Sequence, residues 1–198
     1  MSRRRLEERL QLLHADDLAE LTRAEDLVSW HRQPISRTTR QIVAMYDELV
    51  ATTRNSALVS SVDFRMNMRT VIVALRLKRL GRGAPSQRWG VGRYTRMIES
   101  RWADPEFGLG AVFPWIPQAR GFLEQGDALG LESLVLDQSW RMLSKIAERH
   151  PFGFEEVLAF VFKWDIVHRW LSYEPEKARQ RFEELILEVT SDHQNLFA

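Results

Sequence analysis

The stretch Gly153–Tyr173, GFEEVLAFVFKWDIVHRWLSY, decides the fold class. It follows a stop signal, His150-Pro151, and ends just before Pro175. Val157, Phe160, Trp164, Val167 and Leu171 recur at steps of three and four, which puts them on one stripe of a helix. Phe154, Leu158, Val161, Phe162, Ile166 and Trp170 extend the apolar surface nearly all the way round. A helix lying on a surface keeps about half its circumference polar. This one is therefore expected to pack between other elements.

Working outward, the same period recurs along the chain. Helices are predicted over about 3–13, 16–30, 36–51 and 57–80, with Gln33-Pro34 breaking the second from the third. The fourth has two apolar stripes: Phe64, Met68, Val71 and Leu75 on one side, and Val62, Met66, Val73, Leu77 and Leu80 on the other. Asn67 falls between them and needs a hydrogen-bond partner there. Gly81-Arg82-Gly83-Ala84-Pro85 ends this helix. Residues 86–119 are punctuated by Gly and Pro, with short helices expected at about 92–101 and 117–124. A long helix follows Gly130 up to Arg149, and a last one runs from Pro175 to about Val189. No segment alternates with period two. The expectation is an all-α, single-domain bundle of seven to nine helices. It divides into a first helical unit (1–83), an irregular connection (84–127), a second unit (128–190) and a tail (191–198). Phe64-Arg65-Met66-Asn67-Met68 and Phe162-Lys163-Trp164-Asp165-Ile166 share one pattern, which suggests two similar helical layers.

Composition narrows the chemistry. The chain has 198 residues, 44% of them hydrophobic, and no Cys, so disulfides, thiolate metal sites and thiol nucleophiles are excluded. No apolar run reaches the ~18–20 residues of a membrane span. MSRRRLEERL has basic residues but no apolar region behind them, unlike a secretory signal. The net charge is +1, yet residues 62–101 hold ten Lys and Arg against Asp63 and Glu99. Residues 103–137 hold six acids against Arg120. A basic face and an acidic face are expected.

Catalytic patterns are absent. His14, His31, His150, His168 and His193 include no i, i+4 pair, and no catalytic or metal-binding motif contains them. Gly81-Arg82-Gly83 and Gly90-Val91-Gly92 lack the strand before and the Lys-Ser/Thr after that phosphate loops require. Glu155 and Glu156 point about 100° apart on a helix and cannot face one another. Asp165 has the helical spacing to bond His168 or pair with Arg169. No catalytic, cofactor or metal residue is assigned.

Two phrases carry a resemblance. Leu131-Glu132, a long helix, His150-Pro151-Phe152-Gly153-Phe154-Glu155 and then Lys163 and Asp165 resemble the C/d family of V/A-type ATPase subunits, the sockets of the central stalk. Asn67, Leu75-Arg76, Lys78 and Gly81 are similar to the matching phrase of another repeat in that family. Ile166-Val167-His168-Arg169-Trp170 looks like short bacterial relatives encoded with V-type ATPases. The motif positions are thus Asn67, Arg76, Lys78, Pro151, Glu155, Lys163, Asp165 and Arg169. The resemblance implies a non-catalytic central-stalk or accessory component, cytoplasmic and peripheral at the membrane. It would link the rotor shaft to the proteolipid ring during ATP-coupled ion transport. Arg82, Arg88, Trp89, Arg93 and Trp115 are the candidates for partner contact. The alternative is a helical nucleic-acid-binding or protein-interaction module using the basic 62–101 stretch, where clustered cations meet stacking aromatics.

Overall fold

A computed structural model describes residues 2–29, 33–34, 36–85 and 89–173; the predicted helix from Pro175, the tail and Arg88 lie outside the described residues. The chain is all-helical there, with eight helices and no strand among the described residues. They are α1 (Arg3–Leu10), α2 (Ala15–Val28), α3 (Thr39–Thr52), α4 (Ser56–Arg79), α5 (Thr95–Ser100), α6 (Ile116–Gln125), α7 (Ala128–Arg149) and α8 (Phe154–Tyr173). No described helix is long and apolar enough to cross a membrane.

Local signals set the helix ends. Thr38 and Gln41 form a reciprocal capping box at α3. The Asn55 side chain accepts from the Leu58 amide at the start of α4, and Asp127 accepts from the Gly130 amide at the start of α7. Gly81 and Gly126 both take left-handed φ just past α4 and α6, the conformation that stops a helix and that glycine adopts without penalty.

The side chains build two cores, and α4 belongs to both. Leu58, Val62 and Met66 enter the first core with residues of α1, α2, α3, α7 and α8. Met68, Val71, Ile72, Ala74 and Leu75 enter the second with Ile98, Phe107, Leu109, Phe113, Trp115 and parts of α6 and α7. At 100° per residue the two sets point roughly 150° apart. The predicted second stripe therefore stops at Met66. Val73 and Leu77 are partly exposed and Leu80 is exposed, because α4 has left the first core by then. The cores also cut across the predicted division at residue 83. Helix α7 likewise serves both, through Leu131, Leu134 and Val135 in one and Leu136, Trp140 and Leu143 in the other. The Phe64 and Phe162 phrases are not equivalent in packing: Phe64 lies against the second core and Phe162 within the first.

Helix α8 packs chiefly on α7, where Trp140 and Trp170 stack with ring centroids 6.1 Å apart. It is not covered all round, since Phe160 and Leu171 are exposed. The apolar circumference exceeds what the described neighbours bury.

The irregular segment between α4 and α6 is fastened to α4 by side chains. The Thr70 hydroxyl donates to the Val91 carbonyl at 2.7 Å and accepts from the Val91 amide at 2.9 Å. Asn67 donates to the Asp63 carbonyl, and its side chain occupies the space where a Cβ at Gly92 would stand. Gly92 also has φ +93, so both space and backbone require glycine. The Lys78 ammonium donates to the carbonyls of Trp102, Ala103 and Asp104 and sits 5.0 Å from the Phe107 ring centroid. Burial lowers its pKa, against the opposing charge of Asp104. Phe107 takes φ 53 and is fully buried, held in that left-handed conformation by its place in the second core.

Replacing Thr70 by Val should strand a buried amide and a buried carbonyl at once. Chemical denaturation is expected to register a loss of about 2–3 kcal/mol, with Thr70→Ser retaining most of the stability. Equal losses from both substitutions would show that the Val91 bonds are not the cause.

Candidate functional site: a basic groove between α4 and α7

Between the two core-facing sides of α4 runs a third line of residues. Arg65, Arg69 and Arg76 lie at i, i+4 and i+11, within about 40° of one another. This line forms one wall of a groove of about 570 Å³. Ala128, Leu131, Glu132, Val135 and Leu136 of α7 form the other, and Gln33, Pro34, Arg37 and Ile42 close one side. Arg169 of α8 also lines it, so the groove holds five arginines and one carboxylate, Glu132.

The arginines differ in how they are held. Arg65 is the deepest. Its Nη1 donates to Ser139 Oγ at 2.7 Å, and its Nη2 donates to the Val28 carbonyl at 3.3 Å. Ser139 directs its own proton to the Val135 carbonyl, so its oxygen can accept from Arg65. Burial pushes the Arg65 guanidinium down to about 10; Asp165 acts in the opposite sense, and Arg169 adds to the lowering. At neutral pH it remains charged. A small, partly open cavity of about 20 Å³ lies beside it, lined among others by Ser61, Met142, Phe162 and Asp165. That is room for about one water.

Around Arg65 the remaining charges pair off. Arg169 is bonded to the Glu132 carboxylate, joining α8 to α7. Arg37 makes a forked contact with Asp26 at 3.1–3.3 Å. Arg69 and Arg76 are different. Neither makes a side-chain hydrogen bond or ion pair among the described residues. Burial alone lowers the Arg69 pKa, with no carboxylate countering it. The groove thus carries two uncompensated cations on one wall.

A second hollow of about 310 Å³ adjoins the groove and shares Arg76, Ala128 and Leu131 with it. Its other walls are mainly apolar, from Leu80, Phe122 and Leu123, with Arg79 and Asp127 as further charged residues.

The structure scatters the sequence-derived positions. Arg76 and Arg169 line the groove, and Asp165 stands behind it beside Arg65. Lys163 sits over the Trp140 ring at 4.8 Å, and burial lowers its pKa. Glu155 accepts from the Asn55 amide group at 2.8 Å; hydrogen bonds from its own backbone and from Asn55 hold its carboxyl below the usual range. Lys78 fastens the irregular segment, Asn67 bonds within α4 and packs against Gly92 of that segment, and Pro151 is exposed. Among the partner-contact candidates, Arg82 and Arg93 are exposed, with Arg93 over the Tyr94 ring at 4.9 Å. Trp89 donates to Glu99 at 2.8 Å. Trp115 is only 6% exposed and belongs to the second core, where it packs beside Phe113. Its size fills the interior rather than offering a contact. Asp165 and Arg169 do not close the expected pair within α8, because Glu132 of α7 takes the Arg169 guanidinium. His168 meets the Trp164 ring edge-on at 5.0 Å.

Counted only as members of a diffuse basic stretch, Arg65 and Arg69 go unassigned in the sequence. The usable signal is their i, i+4, i+11 spacing with Arg76, a cationic line along the border of the Val62 stripe. No group of three or more His, Asp or Glu side chains suited to a metal occurs among the described residues.

A family model described as "Protein of unknown function (DUF2764)" matches residues 9–193, and the chain belongs to that family. No curated protein and no solved structure matches it.

Arg65→Met should leave the Asp165 charge, the Ser139 hydroxyl and the Val28 carbonyl without their cation. A loss of about 3–5 kcal/mol in equilibrium unfolding is expected. Adding Asp165→Leu should return about 1–3 kcal/mol of it as coupling. Strict additivity of the two substitutions would exclude an energetic link between α4 and α8 at this point.

Proposed function

We propose that this chain, as a member of the DUF2764 family, is a non-catalytic component of a V-type ATPase, in the central stalk or accessory to it. Its partners are the rotor shaft and the membrane proteolipid ring. The likeness of the α4 and α8 phrases to the C/d family of ATPase subunits supports this reading. One observation carries it further. The motif residues of α8 each act on another helix: Glu155 on the cap of α4, Lys163 on Trp140 of α7, Asp165 on Arg65 of α4, and Arg169 on Glu132 of α7. Residues kept for turnover converge on a shared space where a substrate can sit. These instead tie helices together along the length of α8, as suits a body that transmits force between partners. Attachment at the cytoplasmic face of the membrane would then run through the partner subunits.

The nucleic-acid alternative draws less support. Much of the basic, aromatic stretch is engaged internally, with Lys78 on three carbonyls, Arg65 under α7, and Trp102 donating to the Arg82 carbonyl. Arg69 and Arg76 face a groove of small-molecule size rather than a broad surface.

Affinity-tagged protein recovered from native membranes under mild detergent is expected to bring down shaft and proteolipid-ring subunits. Glu155→Ala with Lys163→Ala should weaken that recovery by loosening α8. A tagged chain that is folded and abundant, yet recovers no ATPase component, would falsify the assignment. Recovery of polynucleotide with a steep salt dependence would favour the alternative instead.

A further inference from the structure

We infer that the arginine groove and its adjoining hollow form one binding site for a phosphate-bearing ligand with an apolar body. The inference does not depend on the ATPase reading. Three observations converge on it. First, Arg69 and Arg76 are cations without a counter-ion among the described residues, in a groove where Arg37 and Arg169 already hold carboxylates. Arg69 is partly buried, where a guanidinium without a counter-charge is disfavoured until an anion arrives, and Arg76 is exposed at the groove's edge. Both are Arg rather than Lys, which suits forked bonds to phosphate oxygens. Second, the first turn of α7 opens on the same space at Ala128, and the positive end of its helix dipole offsets part of the charge of Asp127, which caps the Gly130 amide there. Third, the groove of about 570 Å³ runs into the hollow of about 310 Å³, and Arg76 stands where the two meet. Together they fall in the size range of small-molecule sites, roughly 300–1,000 Å³.

The division of labour follows from the walls. The phosphate lies between Arg69 and Arg76 near the start of α7. The apolar body lies against Leu80, Phe122 and Leu123, where exposed Leu80 otherwise meets water. Two sources share this chemistry: the headgroup and proximal chain of an anionic phospholipid, and a soluble phosphate ester of an apolar alcohol.

The test uses the full chain. Probes are monomeric dihexanoyl phosphatidic acid, vesicles of phosphatidylglycerol mixed with phosphatidylcholine, and vesicles of phosphatidylcholine alone. Binding to the monomeric probe by calorimetry is expected, falling at least tenfold in Arg69→Gln/Arg76→Gln. Neither side chain holds another described residue, so circular dichroism and thermal melting of this variant should match the parent. Leu80→Ser should weaken the dihexanoyl probe and leave inorganic tripolyphosphate unaffected. Sedimentation with phosphatidylglycerol vesicles, absent with phosphatidylcholine alone, assigns the lipid source; binding of the monomeric probe without sedimentation assigns the soluble ester. The inference is overturned if no phosphate probe binds, if binding survives the double arginine substitution, or if an oligoglutamate peptide binds the groove as tightly as the dihexanoyl probe. Failure here with intact recovery of ATPase components removes the site and leaves the assembly reading standing.

Discussion

Helix α4 has to serve two hydrophobic cores in succession, and the rest of the architecture follows from that constraint. Its apolar residues change side between Met66 and Met68, so neighbours of the first half cannot be neighbours of the second. Helices α1, α2, α3 and α8 gather on one side with Val91, while α5, α6 and the rest of the irregular segment's buried residues gather on the other. Helix α7 makes the same change of core and closes both. The face left between the two apolar directions is neither buried nor free. It carries the arginine line, and the groove is the gap that α4 and α7 leave where no core fills it.

That geometry explains where the basic stretch spends its charge. A run of cations reads as a solvated face when only the sequence is considered. In the fold, Arg65 is drawn inward because the carbonyl of Val28, the hydroxyl of Ser139 and the charge of Asp165 replace its hydration. Lys78 is drawn inward by three carbonyls of a segment with no regular structure of its own to satisfy them. Within the groove, Arg69 and Arg76 are what this sorting leaves over. A ligand entering the groove can still reach them.

Much of the fold was legible in the residues. Helical spacing and Gly-Pro punctuation located every described helix to within a few residues, because caps such as Asn55 and Asp127 and stops such as Gly81 are local devices. What periodicity could not supply was partnership. It offered two stripes on α4 but not their assignment to successive cores. Trp115 looked like a contact residue because size and aromaticity are the same for a core and an interface. Helical spacing pairs Arg169 with Asp165, yet Glu132, distant in sequence, holds it. Arg65 and Arg69 escape notice because a count of charge ignores direction. Read at 100° per residue, the same sequence aligns them on one line that borders the Val62 stripe and stands about 110° from the Phe64 stripe.

If α4 welds the two cores into one cooperative unit, its amides should report it. Native-state hydrogen exchange along α4 is the most direct measurement, comparing residues 58–66 with residues 68–75. Both halves are expected to exchange through one shared opening, with the same free energy and the same denaturant dependence. A distinctly lower opening energy for 68–75, with the first half still protected, would mean that the cores melt separately and that α4 does not join them.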